Sequence, residues 1–132
     1  MEKLFAITSM GKTPKSFLDL RFGKSMFIVI FNPAGNQYSV IENPFRDEEN
    51  SGLQLIELLK ELKITSIITG EVGPRVKEKL EQEKIQLILL REDKIRMETI
   101  MDRINPWFSD TVIHSVIYQI AFQLTIWQLI YW

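Results

Sequence analysis

The chain has 132 residues, 45% of them hydrophobic, and its 16 Lys and Arg against 17 Asp and Glu give a formal charge of −1. This length fits one domain with a substantial core, and the near-neutral charge gives no electrostatic case for nucleic acid. With no cysteine and one histidine, His114, the sequence excludes disulfides, Cys-held clusters and sites built from several histidines. No apolar leader with a small-residue cleavage site begins the chain, which predicts a cytoplasmic protein.

The composition changes near Asn105. Every Lys and Arg precedes this residue, all three tryptophans follow it, and the only charged side chain beyond it is Asp110. We therefore divide the chain into an α/β domain, residues 1–104, and an apolar, aromatic-rich C-terminal tail, residues 105–132. The tail has about 22 uncharged residues from Thr111 onward, but Gln and His side chains interrupt them. A membrane anchor is therefore disfavoured, and we expect the tail to pack on the domain as an added strand or helix or to support homo-oligomerisation.

The first part of the domain predicts three strands. A short apolar run, residues 3–8, and a stronger one, residues 25–31, indicate buried strands. Turn residues 32–36 connect the second strand to the alternating segment 37–42, so these two strands form a hairpin.

Helices and strands alternate in the rest of the domain. The predicted elements are a helix over residues 52–62, a strand over 64–69, a helix over 74–83, a strand over 84–90 and a last helix reaching Ile104. Ser51 and Asp93 can cap the first and last of these helices. The order β-β-β-α-β-α-β-α predicts a mixed sheet with helices on its faces. Right-handed crossovers then place the strands beginning at 3 and 64 side by side.

Two glycine-containing loops follow these neighbouring strands. Their candidate ligand residues are Ser9, Gly11 and Lys12 in the first loop and Gly70, Gly73 and Arg75 in the second. Gly73-Pro74 begins a helix, whose free N–H groups attract anions. Ligands of open α/β sheets bind where the direction of the connections reverses. We therefore predict that the two loops face each other across an anion-binding crevice, which the segment with Arg21, Gly23 and Lys24 closes from above.

Two neighbouring residues complicate this prediction. Glu71 lies between the two glycines and would repel an anion unless it turns outward or pairs with Arg75. Met10 is interpreted as a packing residue and not as a soft metal ligand.

Several stretches together carry a family resemblance. Arg21-Phe22-Gly23-Lys24-Ser25 precedes a strand, Asn43-Pro44 lies in a loop, a helix begins near Gly52, and residues 68–74 contain Gly-x-x-Gly-Pro. In this order and spacing, over residues 3–104, they resemble the dinitrogenase iron–molybdenum cofactor biosynthesis family, which includes NifX-like proteins and the C-terminal domain of NifB. The resemblance implies a ribonuclease H-like α/β fold that binds or carries metal–sulfur cofactors or their precursors. It also implies that the Arg-Phe-Gly and Gly-x-x-Gly-Pro positions form the cleft.

The implied fold is best known from nucleases, but no catalytic site is predicted. The first strand carries no carboxylate, Asp19 stands alone, and one histidine without cysteine cannot form a Ser-His-Asp or Cys-His arrangement. We interpret the chain as a binding protein and not an enzyme.

The sequence departs from the family in its ligands. Some members hold their cluster through histidine or cysteine, and the chain before His114 has neither. An iron–molybdenum or iron–sulfur type cluster would therefore be bound without cysteine, by charge and backbone N–H groups, which suits a polyanionic thiometallate. Three hypotheses stay open: a carrier or chaperone of a metal–sulfur cofactor, a metal-free interaction or regulatory domain of the same fold, and a binder of phosphate or another small anion.

Overall fold

The structure is a computed structural model and describes residues 2–108. Within them the elements follow the predicted order: β1 Phe5–Ser9, β2 Phe27–Asn32, β3 Gln37–Glu42, α1 Ser51–Glu61, β4 Ser66–Thr69, α2 Pro74–Gln82, β5 Gln86–Leu89 and α3 Met97–Phe108. Helix α3 continues past residue 104, so the predicted start of the tail falls inside this helix. The predictions for the rest of the tail, including its packing or oligomerisation role, concern residues outside the described range.

The strands form one mixed sheet in the order β3-β2-β1-β4-β5. β2 pairs antiparallel with both β1 and β3, which confirms the predicted hairpin. β1 pairs in parallel with β4, and β4 pairs in parallel with β5. Helices α1 and α2 precede β4 and β5, and each returns the chain to the end of the sheet where these parallel strands begin. Ala6 lies opposite Ile67 in this pairing, so the predicted contact between the first and fourth strands is also confirmed.

Both faces of the sheet are covered, and β1 is buried along its whole length. Phe5 and Ile7 pack on the face that α3 covers, whereas Ala6 packs on the opposite face under α1 and α2. A strand buried on both faces is expected to be apolar throughout, which is why this segment shows no polar alternation. Burial of a side chain such as Ile7, which is fully inaccessible, contributes about 1.5–3 kcal/mol.

Helices α1 and α2 end in the same way. After α1, the Ile64 N–H donates to Leu59 O at 3.0 Å and the Lys63 N–H to Lys60 O at 3.0 Å. After α2, the corresponding bonds run from Ile85 N to Leu80 O at 3.0 Å and from Lys84 N to Glu81 O at 3.2 Å. Lys63 and Lys84 occupy the left-handed region, with φ of 65° and 57°. Both ends are therefore Schellman motifs that satisfy the last carbonyl groups, with lysine where glycine is usual.

The helix starts differ from the predicted caps. Ser51 is the first residue of α1, and Asn50 precedes it as the N-cap residue. Helix α3 begins at Met97 and not near Asp93, because Lys94 has φ 58° and Arg96 first forms an isolated bridge with Phe17. The capping roles predicted for Ser51 and Asp93 are wrong. No helix within residues 2–108 is long and apolar enough to cross a membrane.

Candidate functional site

A cavity of about 370 Å³ lies where the amino ends of α1 and α2 meet. Its lining comes from the loop before β2, from the first residues of α1, and from the segment that joins β4 to the first turn of α2. The described lining residues are Arg21, Phe22, Gly23, Lys24, Ser51, Gly52, Glu71, Val72, Gly73 and Val76. The volume lies within the range of sites that hold small ligands, about 300–1,000 Å³.

Two glycines allow these segments to approach one another closely. A Cβ atom on Gly23 would lie 2.5 Å from the backbone nitrogen of Gly52. A Cβ atom on Gly52 would lie 2.6 Å from Cγ2 of Val76. Both distances are far below van der Waals contact, so only glycine brings the loop and the two helices together at these positions.

Gly73 is different, because nothing in the described structure requires glycine there. No atom lies within 4 Å of the place where its Cβ would be, and its φ is −74°, which any residue can adopt. Neither packing nor backbone conformation therefore requires glycine at position 73, and its missing side chain leaves open space at the cavity.

The amino ends of both helices lack side-chain caps. Neither N-cap residue, Asn50 or Gly73, makes a side-chain capping hydrogen bond, and neither first turn contains an acidic residue. The first N–H groups of a helix have no intrahelical acceptor, and the helix dipole adds partial positive charge there. The two helix starts together therefore favour an anion in the cavity that they border.

Two cations border the same cavity. Lys24 is exposed and its ammonium donates to the backbone carbonyl of Glu48, and within residues 2–108 it forms no ion pair with a carboxylate. The Arg21 side chain is 56% exposed, and its Nε lies 3.2 Å from Oδ1 of the buried Asp19. The charge of Lys24 is therefore available to a ligand, and that of Arg21 is shared with one carboxylate.

Glu71 is the acidic residue among the described lining residues. Its backbone N–H donates to Leu20 O at 2.8 Å, and its side chain is exposed. The pairing with Arg75 that the sequence suggested does not form in the described part of the chain. Glu71 therefore opposes anion binding at one side of the cavity, and solvent screening reduces its effect.

The family model of the dinitrogenase iron–molybdenum cofactor matches residues 1–105. The chain belongs to this family. The match confirms the resemblance carried by the Arg-Phe-Gly and Gly-x-x-Gly-Pro stretches.

Solved structures share the fold. The apo form of the orange protein from Desulfovibrio gigas superposes with a TM-score of 0.72 at 19% identity, covering 82% of this chain and 91% of that one. A candidate NifB protein of the DUF35 family from Thermotoga gives a TM-score of 0.65 at 21% identity, covering 82% of this chain and 90% of that one. At these identities the likeness establishes the α/β fold alone. No curated protein sequence matches the chain.

The two family stretches meet at the cavity, but the predicted crevice between the loops after β1 and β4 is closed. Ser9 pairs with Leu18, and Arg21 pairs with Glu71, so the segment 18–21 lies between the two loops. A Cβ atom on Gly70 would lie 2.6 Å from Leu20 Cα, so Gly70 contacts this segment and not a ligand. The prediction of an open crevice at this position is wrong, because residues 10–20 fold back over the strand ends.

The predicted ligand residues are consequently divided. The cavity brings together Arg21, Gly23, Lys24 and Gly73, whereas Ser9, Gly11, Lys12 and Gly70 are not among its described lining residues. The Ser9 hydroxyl bonds to the Gly11 backbone, and the Lys12 ammonium lies 5.3 Å from the centroid of the Phe27 ring. Arg75 is exposed on the first turn of α2, next to the cavity and outside its lining.

Ser51 and Gly52 are lining residues that the sequence prediction did not include. The available signal was a glycine in the first turn of an amphipathic helix, which often marks a close approach of another segment. The described residues 2–108 contain no group of three or more His, Cys, Asp or Glu side chains that could hold a metal ion.

Proposed function

We propose that this protein is a small, non-catalytic binding protein that carries or chaperones an anionic metal–sulfur cofactor of the iron–molybdenum type, or a precursor of it. The observation that carries the proposal is the convergence of two uncapped helix amino ends on one cavity. Membership of the dinitrogenase iron–molybdenum cofactor family supports the choice of cargo.

The ligand would be held by hydrogen-bond donors and positive charge. Backbone N–H groups at Ser51, Gly52 and Gly73 border the cavity, and Lys24 can exchange its Glu48 carbonyl partner for an anion. A hydrogen bond to a charged group contributes about 1.5–3 kcal/mol, so a few such bonds suffice for micromolar binding.

The described lining contains no sulfur or imidazole side chain, so the protein would form no bond of these kinds to the metal. A thiometallate brings its own sulfide ligands, and these sulfides can accept hydrogen bonds from the protein. Anionic cargo of this kind therefore fits the donor set better than a bare cation would.

The test is purification under anaerobic conditions with iron, molybdate and sulfide, followed by absorption spectra and metal analysis. We expect retained metal, and an affinity for tetrathiomolybdate that falls about tenfold or more in Lys24→Glu, because one charge-assisted bond becomes a repulsion. Arg75→Glu should have a smaller effect, since Arg75 lies outside the lining.

Lys63→Glu is the matched control, because it makes the same charge change at the carboxyl end of α1, away from the cavity. It should leave the affinity unchanged. The proposal is wrong if the protein retains no metal and charge reversal at Lys24 and Arg75 leaves every measured anion affinity unaltered.

A second candidate is a binder of phosphate or a similar oxyanion at the same cavity. The absence of soft ligands from the described lining favours it, because charge and N–H donors recognise oxygen as well as sulfur. Competition decides between the two: phosphate at millimolar concentration should displace tetrathiomolybdate only if the oxyanion is the better ligand.

A further inference from the structure

Asp19 is a buried carboxylate, 2% exposed, at the base of the cavity-lining loop. Its backbone is fixed to β1, since its N–H donates to Thr8 O at 3.0 Å and its carbonyl accepts the Thr8 hydroxyl at 2.6 Å. The Thr69 hydroxyl lies 2.8 Å from that of Thr8 and must donate to it, because the single Thr8 proton is already used. These bonds fix the backbone of Asp19 beside the ends of β1 and β4, and so fix the position from which its side chain extends.

Both oxygens of this carboxylate accept bonds from Arg21. Oδ1 accepts the Arg21 backbone N–H at 3.1 Å and its Nε–H at 3.2 Å, and Oδ2 lies 3.4 Å from Nη2. Oδ2 also accepts the Met26 N–H at 3.2 Å. Asp19 thus fixes the orientation of a guanidinium that lines the cavity.

This arrangement leaves part of the Arg21 guanidinium for a ligand. A guanidinium carries five N–H donors in a planar fork, and Asp19 engages the edge that contains Nε and Nη2. The Nη1 edge has no hydrogen-bond partner within residues 2–108 and belongs to a side chain that lines the cavity. One arginine can therefore join a buried carboxylate to a bound anion.

The loop itself has a second support that does not involve Asp19. The Asn43 amide donates to Gly23 O at 2.9 Å and to Ser25 O at 3.0 Å. The Ser25 hydroxyl donates to Phe22 O at 2.8 Å. Asparagine at position 19 keeps one acceptor oxygen and loses the charge and the second acceptor, so it weakens the hold on the guanidinium, while the Asn43 and Ser25 bonds still support the loop.

We propose that Asp19 is the positioning residue of the anion site and acts through Arg21, by holding its guanidinium at the cavity wall with one edge free. This inference rests on the proposed function. It gives a binding role to a buried carboxylate, a group that would not be chosen as an anion ligand because of its negative charge.

The test is a double-mutant cycle on tetrathiomolybdate affinity with Asp19→Asn and Arg21→Gln. Asp19→Asn should weaken binding about tenfold in the wild-type background, as loss of an orienting partner commonly does. In the Arg21→Gln background the same change should alter affinity by less than about twofold, because the residue it acts through is gone. If Arg21→Gln does not fold, Arg21→Lys supplies the background, since it keeps the charge and removes the fork.

Two further measurements make the outcomes distinct. Ser66→Ala removes a partly buried hydrogen bond to Gln86 at the opposite end of β4, and it should lower stability without changing affinity. The Arg21 Nε–H should exchange slowly with solvent in wild type and faster in Asp19→Asn, as its NMR resonance would show.

Equal losses of affinity in both backgrounds would overturn the role of Asp19 while leaving the proposed function intact. No binding of tetrathiomolybdate or phosphate to the wild-type chain would overturn both.

Discussion

The carboxyl ends of α1 and α2 are capped, whereas their amino ends are not. At the carboxyl ends, two Schellman motifs satisfy the last carbonyl groups, and Ile64 and Ile85 anchor the chain in the core. At the amino ends, neither helix has a side-chain cap or an acidic residue in its first turn. Stabilising interactions are thus present at one end of both helices and lacking at the other, where the cavity lies.

The charges near the helices follow the same division. Lys60 and Lys79, on the carboxyl halves of α1 and α2, both pair with Glu83, at 3.0 Å and 3.3 Å. At the amino ends, Lys24 and Arg75 form no ion pair within residues 2–108, and Arg21 pairs with Asp19 along one edge of its guanidinium only. Paired cations stabilise the protein, whereas unpaired ones beside exposed N–H groups are available to a ligand, so the difference separates a structural end from a binding end.

The largest expected effect comes from forcing the amino ends apart. Gly23→Ala places a Cβ atom 2.5 Å from Gly52 N and 2.8 Å from Gly52 Cα, and these backbone atoms cannot move without shifting α1. We expect the free energy of unfolding to fall by about 3 kcal/mol, which urea denaturation would measure. Gly35→Ala is the control, because its Cβ would meet only the Gln37 side chain at 3.6 Å. A loss at Gly23 no larger than at Gly35 would show that the helix starts do not need this close approach.

A smaller effect should separate stability from binding. Gly73→Ser adds a side chain in open space and an oxygen that can cap α2. We expect the free energy of unfolding to rise by about 0.5–1 kcal/mol, because serine caps slightly better than glycine and restricts the unfolded chain. The hydroxyl would also take an N–H group from the ligand, so the affinity for tetrathiomolybdate should fall about tenfold.

The carboxyl end provides the matched control for this variant. Lys84→Gly relieves a left-handed conformation that costs about 1–2 kcal/mol in a residue with a Cβ atom, against about 0.5–1 kcal/mol of added chain entropy. It should therefore also stabilise the protein, by about 0.5–1 kcal/mol, with unchanged affinity. Weaker binding in both variants would mean that added stability itself reduces binding, and the contrast between the two ends would be lost.

The fold could be predicted from the sequence because its signals are local and repeated. The elements are indicated by the apolar runs of β1, β2 and β4 and by the amphipathic faces of α1 and α2. Right-handed crossover connections then place β1 beside β4. The site could be predicted only in part. Residues 10–20 have no hydrophobic period, so nothing in the sequence showed that Leu20 would return over Gly70 and close the expected crevice.

The remaining site residues depend on contacts between distant segments. Gly52 begins a helix in any sequence-based interpretation, and only the three-dimensional packing of Gly23 and Val76 against it places it at the cavity. Asp19 gave no recognisable motif, because besides the Arg21 guanidinium its carboxylate binds the backbone N–H groups of Arg21 and Met26, which no side-chain pattern reports. The family resemblance located the two stretches, and their packing determined which of their residues line the cavity.

The smallest expected effect concerns the paired charges at the structural end. Hydrogen bonds from Lys60 and then Lys79 lower the pKa of Glu83 below its ordinary value. A carboxyl whose pKa is lower in the folded state stabilises the protein above its unfolded pKa, about 4.3, and this contribution is lost as the pH falls through the folded pKa. Glu83→Gln should therefore lower the melting temperature by about 2 °C at most at pH 7, and the difference should shrink below about pH 4.

Glu81→Gln in α2 is the control, since Glu81 has no ion pair within residues 2–108. Because Glu83 lies away from the cavity, neither variant should change anion affinity, and a change in Glu83→Gln alone would show that the two ends of the helices are energetically coupled.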